Sequence, residues 1–124
     1  MSAEFEWDET QPIYRQLRER IIALIIEGVF KEGDAIPSVR QVAAEYRINH
    51  LTVSKAYQEL VDEGLLQKRR GLGMFIEEGA QQKLLERERS RFIENELPGL
   101  LERLQRLGIS NEQLIELLQK QSTK

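Results

Sequence analysis

The chain has 124 residues, of which 40% are hydrophobic and 31% charged, with no cysteine and one histidine. That length suits one domain or a small domain with an appendage. The missing cysteine excludes disulfides, thiol catalysis and cysteine-ligated metal, and the lone His50 excludes any site that needs two imidazoles. A net charge of −3 counts mildly against a nucleic-acid binder, but the charge is unevenly spread. Glu4, Glu6, Asp8 and Glu9 crowd the start without a base, whereas Ser38–Gly73 carries six bases against four acids, with Lys68, Arg69 and Arg70 consecutive. A local basic patch on an acidic protein follows. No apolar run approaches membrane-spanning length and the acidic start is unlike a signal peptide, so a cytoplasmic protein without membrane contact is expected.

Taken in chain order, residues 1–9 read as an acidic extension. Thr10 is then a candidate N-cap, Pro12 suits a first helical turn, and Ile13, Leu17, Ile21, Leu24 and Ile25 recur at helical spacing on one buried face. Gly28 stops this helix, and the stretch from Val29 to Pro37 reads as a loop with a short extended piece at Ala35–Ile36. Ser38 and Gln41 form an S-x-x-Q capping box that starts a short second helix with Val39, Val42, Ala43 and Tyr46 inward. Asn49 caps a third helix that runs to Glu63 and Gly64. Its inward stripe is Val53, Ala56, Tyr57 and Leu60, which leaves His50, Leu51, Ser54, Lys55 and Gln58 outward.

Leu65–Arg69 and Met74–Glu77 can pair as a hairpin around Arg70-Gly71-Leu72-Gly73, whose glycines supply positive φ angles. Three helices followed by a hairpin is the order of a winged helix-turn-helix, so the fold class expected is mainly α with a small β wing, over residues 10–79. Residues 80–124 then form helices rich in leucine: one over Gln81–Leu97, one opened by Pro98, and a last one behind a Ser110/Gln113 capping box. Such a tail is too short to close a core of its own. Its apolar faces must pack on the first domain or on another copy, since burying each side chain contributes roughly 1.5–3 kcal/mol. A homodimer is the simplest solution, with Leu84, Leu85, Phe92, Leu97, Leu100, Leu101, Leu104, Leu107, Leu114, Leu117 and Leu118 as its surface.

Catalysis has little to work with. His50 lies in an exposed first helical turn, Gly71-Leu72-Gly73 lacks the Gly-Lys-Ser/Thr of a phosphate loop, and the paired carboxylates fall at element ends. No enzyme activity, cofactor or metal is expected. Double-stranded DNA is the better-supported partner. The third helix places Asn49, His50, Leu51, Thr52, Ser54 and Lys55 near its N-terminus, where the helix dipole and free N–H groups favour phosphates and where helix-turn-helix proteins enter the major groove. Leu51 can meet a thymine methyl, and its alternative is a partly buried turn residue. Arg40 can hold a phosphate or base edge, or pair with Glu45. Lys68, Arg69 and Arg70 lead into the protruding turn, where at least one of the three is simply solvated. Tyr14, Tyr46, Tyr57 and Phe75 fit the core better than a base-stacking platform.

Five spaced blocks carry a family resemblance: Pro12-Ile13-Tyr14-Arg15-Gln16-Leu17, Ile36-Pro37-Ser38-Val39-Arg40, Asn49 to Leu60, Glu63-Gly64-Leu65, and Arg70-Gly71-Leu72-Gly73-Met74-Phe75. In this order they resemble the GntR family of bacterial transcription regulators over Gln11–Ile76, and the short tail resembles its YtrA-type subfamily. The resemblance implies a winged helix paired about a two-fold axis as a homodimer, a palindromic operator, usually repression, and a transporter operon as target. It places DNA contacts on Arg40, on Asn49, His50, Leu51, Thr52, Ser54 and Lys55, and on the wing at Gly71. Release from the operator is expected to come from a small-molecule effector in the dimer cleft, or from protein level or a partner. The reading from another class is a winged-helix protein-interaction module without sequence-specific DNA binding, which the acidic total supports slightly.

Overall fold

The computed structural model describes residues 7–122, so most of the acidic extension, Met1 to Glu6, and the last two residues lie outside the described chain. The molecule divides between Leu85 and Glu86 into two compact units. The first contains helices α1 (Ile13–Ile26), α2 (Val39–Tyr46) and α3 (His50–Asp62), strands β1 (Leu66–Arg69) and β2 (Gly73–Ile76), and the start of α4 (Ala80–Arg91). This is the expected winged helix-turn-helix.

Hydrophobic spacing explains the packing. Leu17, Ile21, Leu24 and Ile25 of α1, Val42 and Tyr46 of α2, and Val53, Ala56, Tyr57 and Leu60 of α3 are all buried, and Leu65, Leu66 and Ile76 close the core from the hairpin side. Ile13, expected in the stripe, is 37% exposed. The start of α1 also differs from the pattern. Its N-cap position is Pro12, without a side-chain cap, because the Thr10 amide (2.8 Å) and hydroxyl (2.7 Å) both donate to Asp8 Oδ1 in a local turn of their own. Those donors hold the exposed Asp8 carboxyl below the usual carboxylate range.

The chain just before α1 is built into the fold. Gln16, the buried polar residue of the core, accepts from the Asp8 amide at 2.6 Å and donates to the carbonyls of Asp8 (2.5 Å) and Gln11 (2.9 Å). Trp7 meets the Tyr46 ring edge-on at 5.5 Å. Trp7 and Asp8, read as part of an acidic extension, are thus fastened to the folded unit. Arg18, which the periodicity places on the solvent side, grips Glu63 at the end of α3 with two guanidinium nitrogens at 2.5–2.9 Å and lies 3.6 Å from Glu59.

Ser38 and Gln41 form the predicted capping box, with Gln41 N–H donating to Ser38 Oγ (3.1 Å) and Ser38 N–H to Gln41 Oε1 (2.8 Å). Between α2 and α3, Arg47 takes a left-handed φ of 55°, which costs a non-glycine residue roughly 1–2 kcal/mol. Half-buried Ile48 offsets this by packing on the core. In the wing, Leu66, Gln67, Lys68 and Arg69 pair antiparallel with Ile76, Phe75, Met74 and Gly73, and the extended piece joins them as a bridge from Ala35 to Phe75.

The unit does not stop at Gly79. Ala80 and Leu84 are buried in the winged-helix core, and polar groups fasten the first turns of α4 to it. Gly79 N–H donates to Glu32 (2.8 Å), Gln81 to the Ile26 carbonyl at the end of α1 (3.0 Å), and Lys83 to the Glu63 carbonyl at the end of α3 (2.5 Å). Two helix C-termini, each short of donors, thereby receive them. Leu84 is consequently not part of an exposed tail surface, and only 1% of it reaches solvent.

The second unit continues from α4 through a π-helical stretch, Phe92–Glu96, into α5 (Leu97–Arg106), followed by α6 (Asn111–Ser122). Pro98 accounts for the π stretch. It has no N–H to give and its ring would strike the carbonyl four residues back, so the helix widens before it and Leu97 N–H reaches Phe92 instead. The expected break between two helices is therefore a widened turn. Gly108 (φ +73°) ends α5, and the Ser110/Gln113 box opens α6 with bonds of 2.9 and 3.1 Å.

Candidate nucleic-acid interface

Asn49 starts the site. Its Oδ1 accepts the Leu51 amide at 2.8 Å, which fixes where α3 begins. This cap leaves the Asn49 side chain serving its own helix. His50, Leu51, Ser54 and Lys55 follow on the exposed face, and Thr52 is half-buried. Leu51 is 65% exposed, which decides between its two readings in favour of an outward side chain.

Tyr57 sets the angle of α3. It is buried, and its hydroxyl donates to the Pro37 carbonyl at 2.6 Å, tying the middle of α3 to the entrance of α2. Burial, with Tyr46 nearby, raises its phenol well above the usual range. The Tyr46 phenol is also raised by burial and by Glu45, less the opposing effect of Arg20, and its hydroxyl has no hydrogen-bond partner among the described residues. Both tyrosines are structural, as the stripes predicted.

Two cations lie on aromatic faces that the periodicity did not link to them. Lys55 Nζ sits 3.9 Å from the centre of the Tyr14 ring on α1. Arg69 lies 4.2 Å over Phe75 and donates to Gln67 Oε1 at 2.9 Å. At exposed sites such contacts are worth roughly 0.5–1 kcal/mol, so a phosphate or base can displace them. The Arg69 contact is the diagonal neighbour that the hairpin register dictates, and was readable once that register was known. The Lys55 contact joins two helices through the tertiary fold and leaves no local signal.

Arg40, Lys68 and Arg70 are exposed and make no ion pair or hydrogen bond among the described residues, so Arg40 does not pair with Glu45. Gly71 occupies the wing turn at φ +78°. A cleft of about 340 Å³ runs between α3 and the wing, with Ser38 and Val39 at the start of α2, Ser54 and Gln58 of α3, and Lys68, Gly71 and Met74 of the hairpin in its walls. The start of α2, the outer face of α3 and the wing therefore form one surface edged by unpaired cations. No cluster of three or more histidine, aspartate or glutamate side chains suited to a metal occurs among the described residues, and no described helix is long and apolar enough to cross a membrane.

Comparison with known proteins identifies the family. Residues 13–76 match the family described as bacterial regulatory proteins, gntR family. The HTH-type transcriptional repressor YtrA of Bacillus subtilis is 38% identical over 105 residues, covering 85% of this chain and 80% of that protein. A transcriptional regulator from Oenococcus oeni of known crystal structure covers 94% of this chain and 96% of its own, at 27% identity and a TM-score of 0.70. The DNA-binding domain of AraR, solved in complex with operator ORX1, aligns with 59% of this chain and 89% of its own, at 28% identity and a TM-score of 0.52.

Proposed function

Because the chain belongs to the gntR family of bacterial regulatory proteins and is a DNA-binding transcriptional repressor, we propose that it works as a homodimer on a two-fold symmetric operator in the bacterial cytoplasm. Each protomer lays the first turns of α3 in the major groove. His50, Leu51, Ser54 and Lys55 face base edges, with Thr52 at their margin, while Arg40 and Lys68 hold phosphates on either side. Asn49 acts through its cap, which sets the depth of the helix. Arg69, Arg70 and Gly71 carry the wing onto the next stretch of backbone. The observation that carries this reading is the outward face of α3, with its 65%-exposed Leu51, set between cations that have no protein partner.

The dimer follows from the second unit. Phe92, Leu100, Leu101, Leu107, Leu117 and Leu118 are 45–65% exposed in the single protomer, and Leu97, Leu104 and Leu114 are half-exposed beside them. Leu85, at the edge of the first unit, is 36% exposed. An apolar surface of this extent marks an interaction site, and a second copy with the same face is the simplest cover for it. Likeness to the YtrA-type subfamily supports a transporter operon as the target.

The test is fluorescence anisotropy of the full chain with the duplex upstream of its own gene, titrated with salt. Arg40→Ala is expected to weaken binding to all sequences and to reduce the slope of log affinity against log salt by about 1 for each phosphate that the variant no longer neutralises. Absence of binding at low salt, or an unchanged slope in the variant, contradicts the reading.

A further inference from the structure

The tip of the wing carries a side chain that nothing above uses. Leu72 is 72% exposed, more than any other large apolar residue of the described chain. It lies between Gly71 (φ +78°) and Gly73 (φ +112°), in a turn closed by the Leu72 amide donating to the Arg69 carbonyl at 2.9 Å. A Cβ built on either glycine would meet nothing within 4 Å, so the backbone on both sides of Leu72 is open to close approach. Of the three neighbouring cations, Arg69 is held over Phe75 and Lys68 lines the cleft beside α3, which leaves Arg70 unpaired next to the leucine. The turn thus presents one apolar side chain, one guanidinium and a bare backbone together.

With α3 in the major groove, the cleft between α3 and the wing is where the sugar–phosphate strand bordering that groove passes. The hairpin tip then reaches beyond that strand, into the adjacent minor groove. An arginine suits the negative potential of a narrow minor groove, and an exposed leucine is the kind of wedge that minor-groove proteins press against base steps. We propose that Leu72 is a specificity-determining contact in the minor groove, flanked by Arg70, that selects A·T over G·C pairs at the wing-facing step. The discrimination is chemical. Guanine carries an exocyclic N2 amino group on the minor-groove floor, and leucine offers it no acceptor, so a G·C pair leaves that donor desolvated and unpaired. An A·T pair has no such donor. This inference rests on the docking of α3 proposed above.

The experiment uses the full chain to select duplexes from a random pool, then measures affinity for the best duplex with A·T, G·C or inosine·C at each wing-facing step. Inosine·C keeps the major-groove face of G·C but removes the N2 amino group. The expected result is an affinity about tenfold weaker for G·C that inosine·C restores. In Leu72→Ser the three duplexes become equivalent, while discrimination at the positions read by α3 is unchanged. A tenfold weakening that inosine·C does not restore, or a G·C penalty that persists in Leu72→Ser, overturns the assignment of Leu72 alone. Failure to enrich any duplex overturns the docking of α3, and the wing contact with it.

Discussion

The two units of this chain treat leucine in opposite ways. In the first unit, the aliphatic side chains of the core lie at or near zero exposure around Tyr57, the ends of α1 and α3 receive donors from Gln81 and Lys83, and Arg18 pairs with the Glu63 carboxylate. From Glu86 onward, side chains of the same type and spacing are about half in solvent. Periodicity alone does not separate these cases, because an apolar stripe states only that something covers it. The number of elements available does. Three helices and a hairpin enclose a core, whereas two helices and a widened turn present a face. The first unit is complete in one protomer, whereas the second, in the dimer proposed above, would be half of an assembly.

A pair of truncations makes the contrast sharpest. Leu60→Ala, at a fully buried position of α3, is expected to destabilise the winged-helix unit by roughly 2–5 kcal/mol in thermal or urea unfolding. Placing charge on the other unit, as Leu101→Glu with Leu117→Glu, is expected to leave the unfolding of the first unit within about 0.5 kcal/mol of the parent. The same variant should raise the dimer dissociation constant at least about a hundredfold in sedimentation experiments, since each leucine contributes roughly 1.5–3 kcal/mol when buried. An unchanged self-association would break the comparison.

A smaller effect is expected inside the first unit. Tyr57→Phe removes the hydrogen bond to Pro37 and should cost about 1 kcal/mol. It also has a pH signature. The Tyr57 phenol titrates above its unfolded value, so its contribution is complete below about pH 10 and declines as pH rises beyond that. The parent should lose stability above this pH more steeply than the phenylalanine variant. Parallel curves would mean that burial of this hydroxyl does not set the alkaline limit.

The sequence made the local features legible. The capping boxes at Ser38 and Ser110, the Asn49 cap and the inward stripe of α3 each depend on residues within a few positions of one another, and each stands as read. The hairpin was also legible, although Gly73, read as part of its turn, lies in the second strand and pairs with Arg69. Features that need distant partners were not visible. Arg18 found Glu63 across 45 positions and Gln16 reached back to the Asp8 carbonyl, whereas the Asp8–Thr10 bond, only two positions apart, is a local turn that competed with the cap expected at Thr10. Leu84 looked like a tail residue because its helix continues into the tail, but the first turns of that helix finish the winged-helix core. At the interface, the outward residues of α3 were correctly placed on its exposed face, whereas the resting place of Lys55 on Tyr14 emerges only when α1 and α3 pack.

The central claim is that the first turns of α3 read a duplex. The direct measurement is the ratio of affinities for the upstream duplex and a scrambled duplex, in the parent and in the variant carrying Leu51→Ala with Lys55→Ala. Both side chains are exposed, and losing the Lys55–Tyr14 contact costs roughly 0.5–1 kcal/mol, so the variant should stay folded while the ratio falls at least about tenfold. A variant that keeps the parent's ratio would contradict the account.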